Sequence, residues 1–458
     1  MGGIIQAISS FFGIGSPEPS QVSTVMRTEN SEGAAPSGKR HLIIGAGPAA
    51  VIAAEQLRKL APNDQVTIVG DEPEPPYSRM AIPYLLVGNV DESGTYLRKS
   101  NDHFDSLCVS VKRKRVARVD SSASEVVLDD GSRHGYDRLL IAAGSSPIQL
   151  PIPGIDGANV HNCWTLENAR NIAALAKPGS KVVQIGAGFI GCIIMEALAS
   201  RGVELTVVEA GDRMVPRMMG PSAGAMIKAW CQKKGVNVET SSTVSRIDHV
   251  AGGPSKVMLS SGKSLDADLV ISSTGVRPNV EFLKDSGIKC NLGVVTDDTM
   301  RTNVSNVFAA GDCAEAFDHA TNANVVSAIQ PNAADQALVA ARCMLGMQSN
   351  LKRVTQINVL DTLGLISSSF GQWQGVDGGE QAEIVDSENF RMLSLQFSDD
   401  RLVGSNSIGW TEHVGALRGL MDGQIRLGDW KEKLMKDPTR IMEAYLACAQ
   451  SQDKHSVV

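Results

Sequence analysis

The sequence predicts an α/β fold in which one strand–turn–helix–strand unit occurs twice, with an α+β domain behind it. Three observations carry this prediction. The stretch HLIIGAGPAAVIAAEQL (41–57) sets Gly45, Gly47 and Ala50 between an apolar run and a helical pattern. KVVQIGAGFIGCIIMEAL (181–198) repeats the plan with Gly186, Gly188 and Gly191. Beyond about residue 350 the pattern changes, and RMLSLQF (391–397) alternates as a half-buried strand does.

Taken in chain order, residues 39–70 read as strand, glycine turn, helix, the loop APND and a second strand, VTIVG. Both strands are runs of Val and Ile, which places them in a parallel sheet covered on both faces. Residues 181–210 repeat this: KVVQIG, a helix to about Ser200, a stop at Gly202, then VELTVVE. The repeat is a duplicated nucleotide-binding unit, too long in period for a solenoid. RMLSLQF, the turn SDD and RLVGSNSIG form an antiparallel hairpin. Near the end, Asp437 caps a helix whose first position is Pro438, leading into TRIMEAYLACA.

At 458 residues the chain has room for two or three cores. Hydrophobic residues at 43% and charged residues at 20% are ordinary for a soluble globular chain. A net charge of −7 gives no reason to expect a nucleic-acid partner. The cysteines are scattered without C-x-x-C, and the histidines form no H-E-x-x-H. Reduced thiols of a cytoplasmic protein and no metal site are therefore expected. The N-terminus stands apart. Ile4, Ile5, Ile8, Phe11 and Phe12 recur at roughly helical spacing, with no Lys or Arg before them, and the run is too short to span a bilayer. Gly2 fits a myristoylation signal, but Gln6 stands where that signal wants Ser or Thr. Residues 14–38 read as a flexible linker. Residues 1–38 are thus an apolar peptide on a tether, with residues 1–15 either a frayed tail or a device for peripheral membrane or partner docking.

The glycine spacing has a chemical reason. The first glycine permits the tight turn, the second lets backbone N–H groups approach a pyrophosphate, and the third small residue lets helix pack on strand. The helix N-terminus adds about half a positive charge facing the anion. After the first loop, Asp71 ends the second strand and can accept from a ribose 2′-hydroxyl, with Glu72 as the alternative. After the second loop, Glu209 occupies the equivalent place. A carboxylate there favours NADH over NADPH, because a 2′-phosphate beside it costs on the order of 4 kcal/mol near a surface. Arg213 and Arg217 lie close enough in sequence to soften that preference. Two such sites suit a relay from NAD(P)H to a second, resident dinucleotide, and FAD is the one that accepts a hydride and releases single electrons.

With both loops placed, the chain resembles the pyridine-nucleotide-dependent flavoproteins of glutathione-reductase-like fold over about residues 39–345. RLLIAAGSSP (138–147) is similar to the family's A-T-G strand, here Ala142-Ala143-Gly144. STGVRPN (273–279) resembles the segment that closes the NAD domain, with Gly275 near the nucleotide. NVFAAGDCAE (306–315) resembles the last FAD motif, which implies that Asp312 meets the ribityl chain or flavin phosphate and that Gly311 admits the backbone approach. QPNAADQALVAARCMLG (330–346) resembles the helix that follows, placing Asn332 and Gln336 near the flavin. The resemblance implies two Rossmann-like domains: FAD held by 39–155 and 281–345, NAD held by an inserted 156–280, and a C-terminal α+β domain over 346–458. PYSRMAIPYLL is similar to the P-Y-x-R-x-x-L of ferredoxin, rubredoxin and nitrite reductase flavoproteins, implying that Arg79 reaches the cofactor phosphates; a surface ion pair is the other reading.

Departures set the branch. No cysteine occurs from residue 1 to 107, so the thiols that relatives place beside the flavin are missing, and electrons must leave it directly. Tyr84 and Ile193 occupy the places where many relatives set a Lys–Glu pair. Cys192 and Cys313 read as packing residues. Hydride transfer between stacked rings needs no acid, base or nucleophile, so no catalytic residue is named. The expected activity is hydride transfer from NADH to FAD and onward electron transfer to a protein carrier, such as a ferredoxin, a rubredoxin or a partner subunit. A membrane-associated NADH:quinone reductase, an NADH oxidase, or a flavoprotein scaffold of a larger redox complex are the alternatives. A homodimer is also open.

Overall fold

The computed structural model describes residues 38–318, 323–351 and 357–453. The apolar peptide of residues 1–15 lies outside them. In the first unit, strand Arg40–Ile44 pairs in parallel with Gln65–Gly70 on one side and Arg138–Ile141 on the other. Val109–Arg113 and Val307–Ala309 extend this to five strands. The chain therefore leaves the sheet after residue 141 and returns to it at 307. Ile43, Ile68, Leu139, Leu140, Ile141 and Phe308 are buried, each worth roughly 1.5–3 kcal/mol. Helix Pro48–Leu60 starts on a proline, which lacks the N–H that would go unpaired there, and ends with Arg58 and Lys59 facing its negative pole.

The second unit repeats this plan. Lys181–Ile185 pairs in parallel with Glu204–Val208 and Leu269–Ser272, and Asn237–Glu239 and Val160–Asn162 complete five strands. Each unit also carries a three-stranded antiparallel meander, one over 116–135 and the other over 244–267. Helix Phe189–Ser200 is apolar nearly all round, as a helix covered on several sides must be. It packs between its own sheet, helix Ile82–Val87 and strand Ile357–Thr362.

Beyond residue 350 five strands form one sheet, all of its pairings antiparallel. The expected hairpin is there: Arg391–Ser398 pairs with Arg401–Ile408. The end of the chain differs in detail. Asp437 does cap, accepting from Thr439 N at 3.0 Å, but it caps a 3₁₀ turn, Pro438–Arg440, and the α-helix starts at Ile441. Such a tightened first turn is common at helix starts. One face of the sheet packs on its own helices through Leu395, Phe397, Leu417 and Leu434. Leu360, Leu365, Met392 and Ile408 instead join Ile194, Met195, Met219 and Ile227 of the second unit. The C-terminal α+β region thus has a core of its own and shares a second one with that unit. Among the described residues, no helix is long and apolar enough to cross a membrane, and no group of His, Cys, Asp and Glu could hold a metal ion.

Candidate dinucleotide site

Both glycine loops have the same stereochemistry. Gly45 takes φ +107°, and a Cβ on it would stand 2.1 Å from the Ala142 carbonyl oxygen. Gly186 takes φ +97°, with a Cβ 2.6 Å from the Ser273 oxygen. In each case the neighbouring strand crosses where a side chain would be. The second glycines differ: a Cβ on Gly47 or Gly188 would meet nothing within 4 Å. They border open space at a helix N-terminus, which fits a pyrophosphate cradle. The third positions are packing positions. Ala50 is buried against the sheet, and a Cβ on Gly191 would collide with Gly186 O at 2.6 Å.

The first loop opens into a cleft of about 1520 Å³, mouth included, at the carboxyl ends of the parallel strands. Gly45, Gly47, Asp71, Glu72 and Arg79 line it from the first segment, joined by Gly144, Gly311 and Asp312. A Cβ on Gly144 would also meet only open space. The second unit contributes Cys163, Trp164, Phe189, Ile190, Ile193 and Ile194. The space therefore runs from the first loop to the start of the second-loop helix. Ligands of open α/β sheets bind at this end of the strands.

Asp71 is exposed and directly follows its strand. Glu72 is committed elsewhere: Arg79 Nη2 donates to its Oε1 at 2.6 Å, and Tyr77 donates its hydroxyl to Oε2. Burial pushes the Tyr77 phenol well above its ordinary value, so it stays a donor at neutral pH. Of the two acids proposed for a ribose, Asp71 is the available one. Arg79 Nη1 also donates to Tyr77 Oη and to the Trp164 carbonyl, each at 2.8 Å. Arg79 is both an ion-pair partner and a cleft residue.

Opposite, Ser145 Oγ donates to Asp312 Oδ2 at 2.9 Å. Burial raises the Asp312 carboxyl, while Ser145 and the charge of Arg79 pull it back. Gly311 takes φ +81°, and its N–H donates to Gln336 Oε1 at 2.8 Å. Gln336 thus braces the turn that carries Asp312. Asn332 is placed differently from expectation. It is buried, donates to Ser327 Oγ at 2.6 Å, and does not line the cleft; Gln330 and Ala333 do. The reason is helical periodicity, since residues 330 and 333 share a face and 332 is turned about 100° per residue away from each neighbour.

In the second loop, Glu209 accepts from Ala187 N and Gly211 N, both at 2.7 Å. With 9% exposure it is a brace for the loop as well as an acceptor with lone pairs to spare. The Gln184 amide, fully buried, donates to Gly186 O at 2.9 Å and Gly191 O at 3.0 Å. Arg213 is tied to Met219 O and Asp212. Arg217 is exposed, with Nη1 3.8 Å from where a Gly275 Cβ would sit. Gly275, at φ +107°, therefore faces a guanidinium.

One thiol that the reading of residues 1–107 did not place does line the cleft, Cys163. It directly follows strand Val160–Asn162 of the second unit, out of reach of any argument from residues 1–107. Burial pushes its pKa up to about 12, so it remains a thiol at neutral pH. Burial does the same to Cys313, to about 12, and raises Cys192 further. Burial, not the nearby helix start, sets the state of Cys192. Ile193 faces the cleft, whereas Tyr84 is 48% exposed and does not line it. Sequence reasoning also missed Ser145, Trp164 and Gln184. A signal existed for Trp164: it follows a parallel strand and precedes Thr165, which caps the next helix through Asn168 N.

Residues 39–325 match the pyridine nucleotide-disulphide oxidoreductase family. The chain belongs to that family. Among its relatives is subunit epsilon of the NADH-dependent phenylglyoxylate dehydrogenase of Aromatoleum evansii, 31% identical over 366 residues, 79% of this chain and 86% of that one. Rhodocoxin reductase of Rhodococcus erythropolis is 32% identical over 316 residues, 68% of this chain and 74% of that one. The fold is also that of the reductase in a covalent putidaredoxin reductase–putidaredoxin crystal structure. There the TM-score is 0.83 at 22% identity, covering 90% of this chain and 99% of that one. The chain is therefore an oxidoreductase of that family.

Proposed function

We propose that this oxidoreductase holds FAD in the cleft of the first unit and NADH on the second loop. Hydride passes from NADH to FAD, and electrons pass onward to a small redox protein. The observation that carries this reading is the single space joining the first glycine loop to the second-loop helix, with no ionised thiol in its wall. FAD bound there would supply a two-electron acceptor that releases electrons one at a time.

The chain's own residues serve that chemistry by binding and exclusion. Gly47 and Gly144 admit phosphates and backbone-close atoms to the first site, and Asp71 accepts from a ribose hydroxyl. Asp312 and Arg79 supply opposite charges across the cleft. Gly188 and Gly275 admit the NADH phosphates beside Arg217, and Glu209 accepts from the adenosine ribose. Phe189, Ile190 and Ile193 give the junction of the two sites an apolar wall that keeps water away. Glu209 also sets the preference: NADH should exceed NADPH in kcat/KM by at least ~tenfold, from the repulsion of a 2′-phosphate. Equal values in steady-state assays would contradict that role.

The acceptor is tested by pre-reducing the protein with NADH without oxygen and mixing it with rubredoxin, ferredoxin, a soluble quinone or O₂. Reoxidation by a protein carrier at least ~tenfold faster than by quinone or O₂ is expected. Faster reaction with quinone or with O₂ would replace this reading with an NADH:quinone reductase or an NADH oxidase, respectively. A second reading, a subunit docked in a larger redox assembly, is favoured by the relative named as a subunit. Isolation with a stoichiometric redox partner, together with negligible carrier reduction by the free chain, would support it.

A further inference from the structure

We propose that Trp164, a residue of the NAD-side unit, is the positioning residue that fixes Arg79 for FAD binding. The proposal rests on the reading of the cleft as an FAD site. Arg79 reaches into that cleft on a short turn, Arg79–Ala81, that begins without a side-chain cap. A long cation on such a turn has many rotamers, and its usefulness to an anion depends on losing them beforehand.

Trp164 removes that freedom from 85 residues away. Its carbonyl accepts from Arg79 Nη1 at 2.8 Å, and its ring lies 5.3 Å from the guanidinium carbon. The Tyr77 ring lies 5.4 Å from the same guanidinium carbon, so two rings stand close to it. The indole is itself anchored, because its Nε1–H donates to Ser145 O at 3.0 Å. Ser145 in turn donates its hydroxyl to Asp312. One indole therefore links the cation on one wall of the cleft to the carboxyl on the other. Arg79 spends its Nη1 hydrogens on Tyr77 and Trp164 and one Nη2 hydrogen on Glu72. Its Nε–H and second Nη2–H remain for a ligand. Held in this way, the guanidinium has a planar pair of donors ready for a phosphate.

Any replacement at 164 keeps the backbone carbonyl, so a substitution isolates the ring and the indole N–H. The test measures FAD affinity of full-length apoprotein by quenching of flavin fluorescence. It uses wild type, W164F, W164A, R79A and the R79A/W164A double variant. W164A should weaken FAD binding by ~tenfold, and W164F, which keeps a ring beside Arg79, by only ~threefold. In the R79A background, W164A should add less than ~twofold, because the residue it positions is gone. The melting temperature of the W164A apoprotein should stay within ~2 °C of wild type. Wild-type affinity in W164A, or losses from R79A and W164A that simply multiply, would overturn the proposal. A wild-type chain that takes up no FAD would instead overturn the functional reading on which it rests.

Discussion

A methyl group at Gly45 would stand 2.1 Å from the Ala142 oxygen, and φ there is +107°, a region costly for any L side chain. At Gly188 φ is ordinary and a methyl group would touch no protein atom. The two glycines look alike in sequence but serve different ends. Gly45→Ala should therefore lower the yield of folded, flavin-binding protein. Gly188→Ala should melt within ~2 °C of wild type yet raise the KM for NADH at least ~tenfold if, as proposed, the empty space it fills is where the dinucleotide binds. Normal NADH kinetics in that variant would remove the second loop from the site. Cys163→Ser should keep NADH-driven dye reduction within ~twofold, since a thiol with a pKa near 12 takes no part as a thiolate. The glycines were legible because their chemistry is local. The place of Cys163 in the cleft and the contact of Trp164 with Arg79 were not, because only the fold of the second unit brings them there.

Among the elements, the two strand–turn–helix units could be read directly, since a parallel strand is a run of Val and Ile and its turn is a glycine signature. The C-terminal hairpin was readable too, but not what covers it. In Arg391–Ser398 six consecutive residues are buried, including Ser394 and Gln396. Those two polar residues make the strand look half exposed in sequence, when helices cover one face and the second unit the other. Asn406 holds that second contact: its Oδ1 accepts from Gly220 N at 2.9 Å and its Nδ2 donates to Met218 O at 3.0 Å. Asn406→Ala would leave the part-buried Gly220 N–H and the Met218 C=O without this partner and should cost about 1–3 kcal/mol in urea denaturation. A cost below ~0.5 kcal/mol would mean the contact is not part of the folding unit.

For the whole molecule, stability carries a pH signature. His41, fully buried in the first sheet, pairs with Asp64 at 2.7 Å, yet burial outweighs that partner and lowers its pKa below the ordinary 6.5. Arg138 and Lys39 add to the lowering. As pH falls through about 6.5 the unfolded chain takes up a proton that the folded chain refuses, so this contribution is present at pH 8 and lost in acid. His41→Gln should reduce the drop in melting temperature between pH 7.5 and 5.5; an unchanged drop would place the acid sensitivity elsewhere.

The molecule-wide feature that matters most for function is the shared cleft, to which chain segments before residue 80, near 144, near 164, near 190 and near 311 all contribute. The first-unit half was legible as a series of motifs in a fixed order. The junction between the halves was not, because it depends on how helix Phe189–Ser200 packs against helix Ile82–Val87. The most direct measurement of the central claim is an anaerobic titration of the purified, FAD-reconstituted full-length protein with NADH, followed by flavin absorbance. Complete bleaching at about one NADH per bound FAD is the predicted result, since one hydride carries two electrons. A protein that binds no FAD, or that needs about two NADH per flavin because a thiol pair also fills, would contradict it.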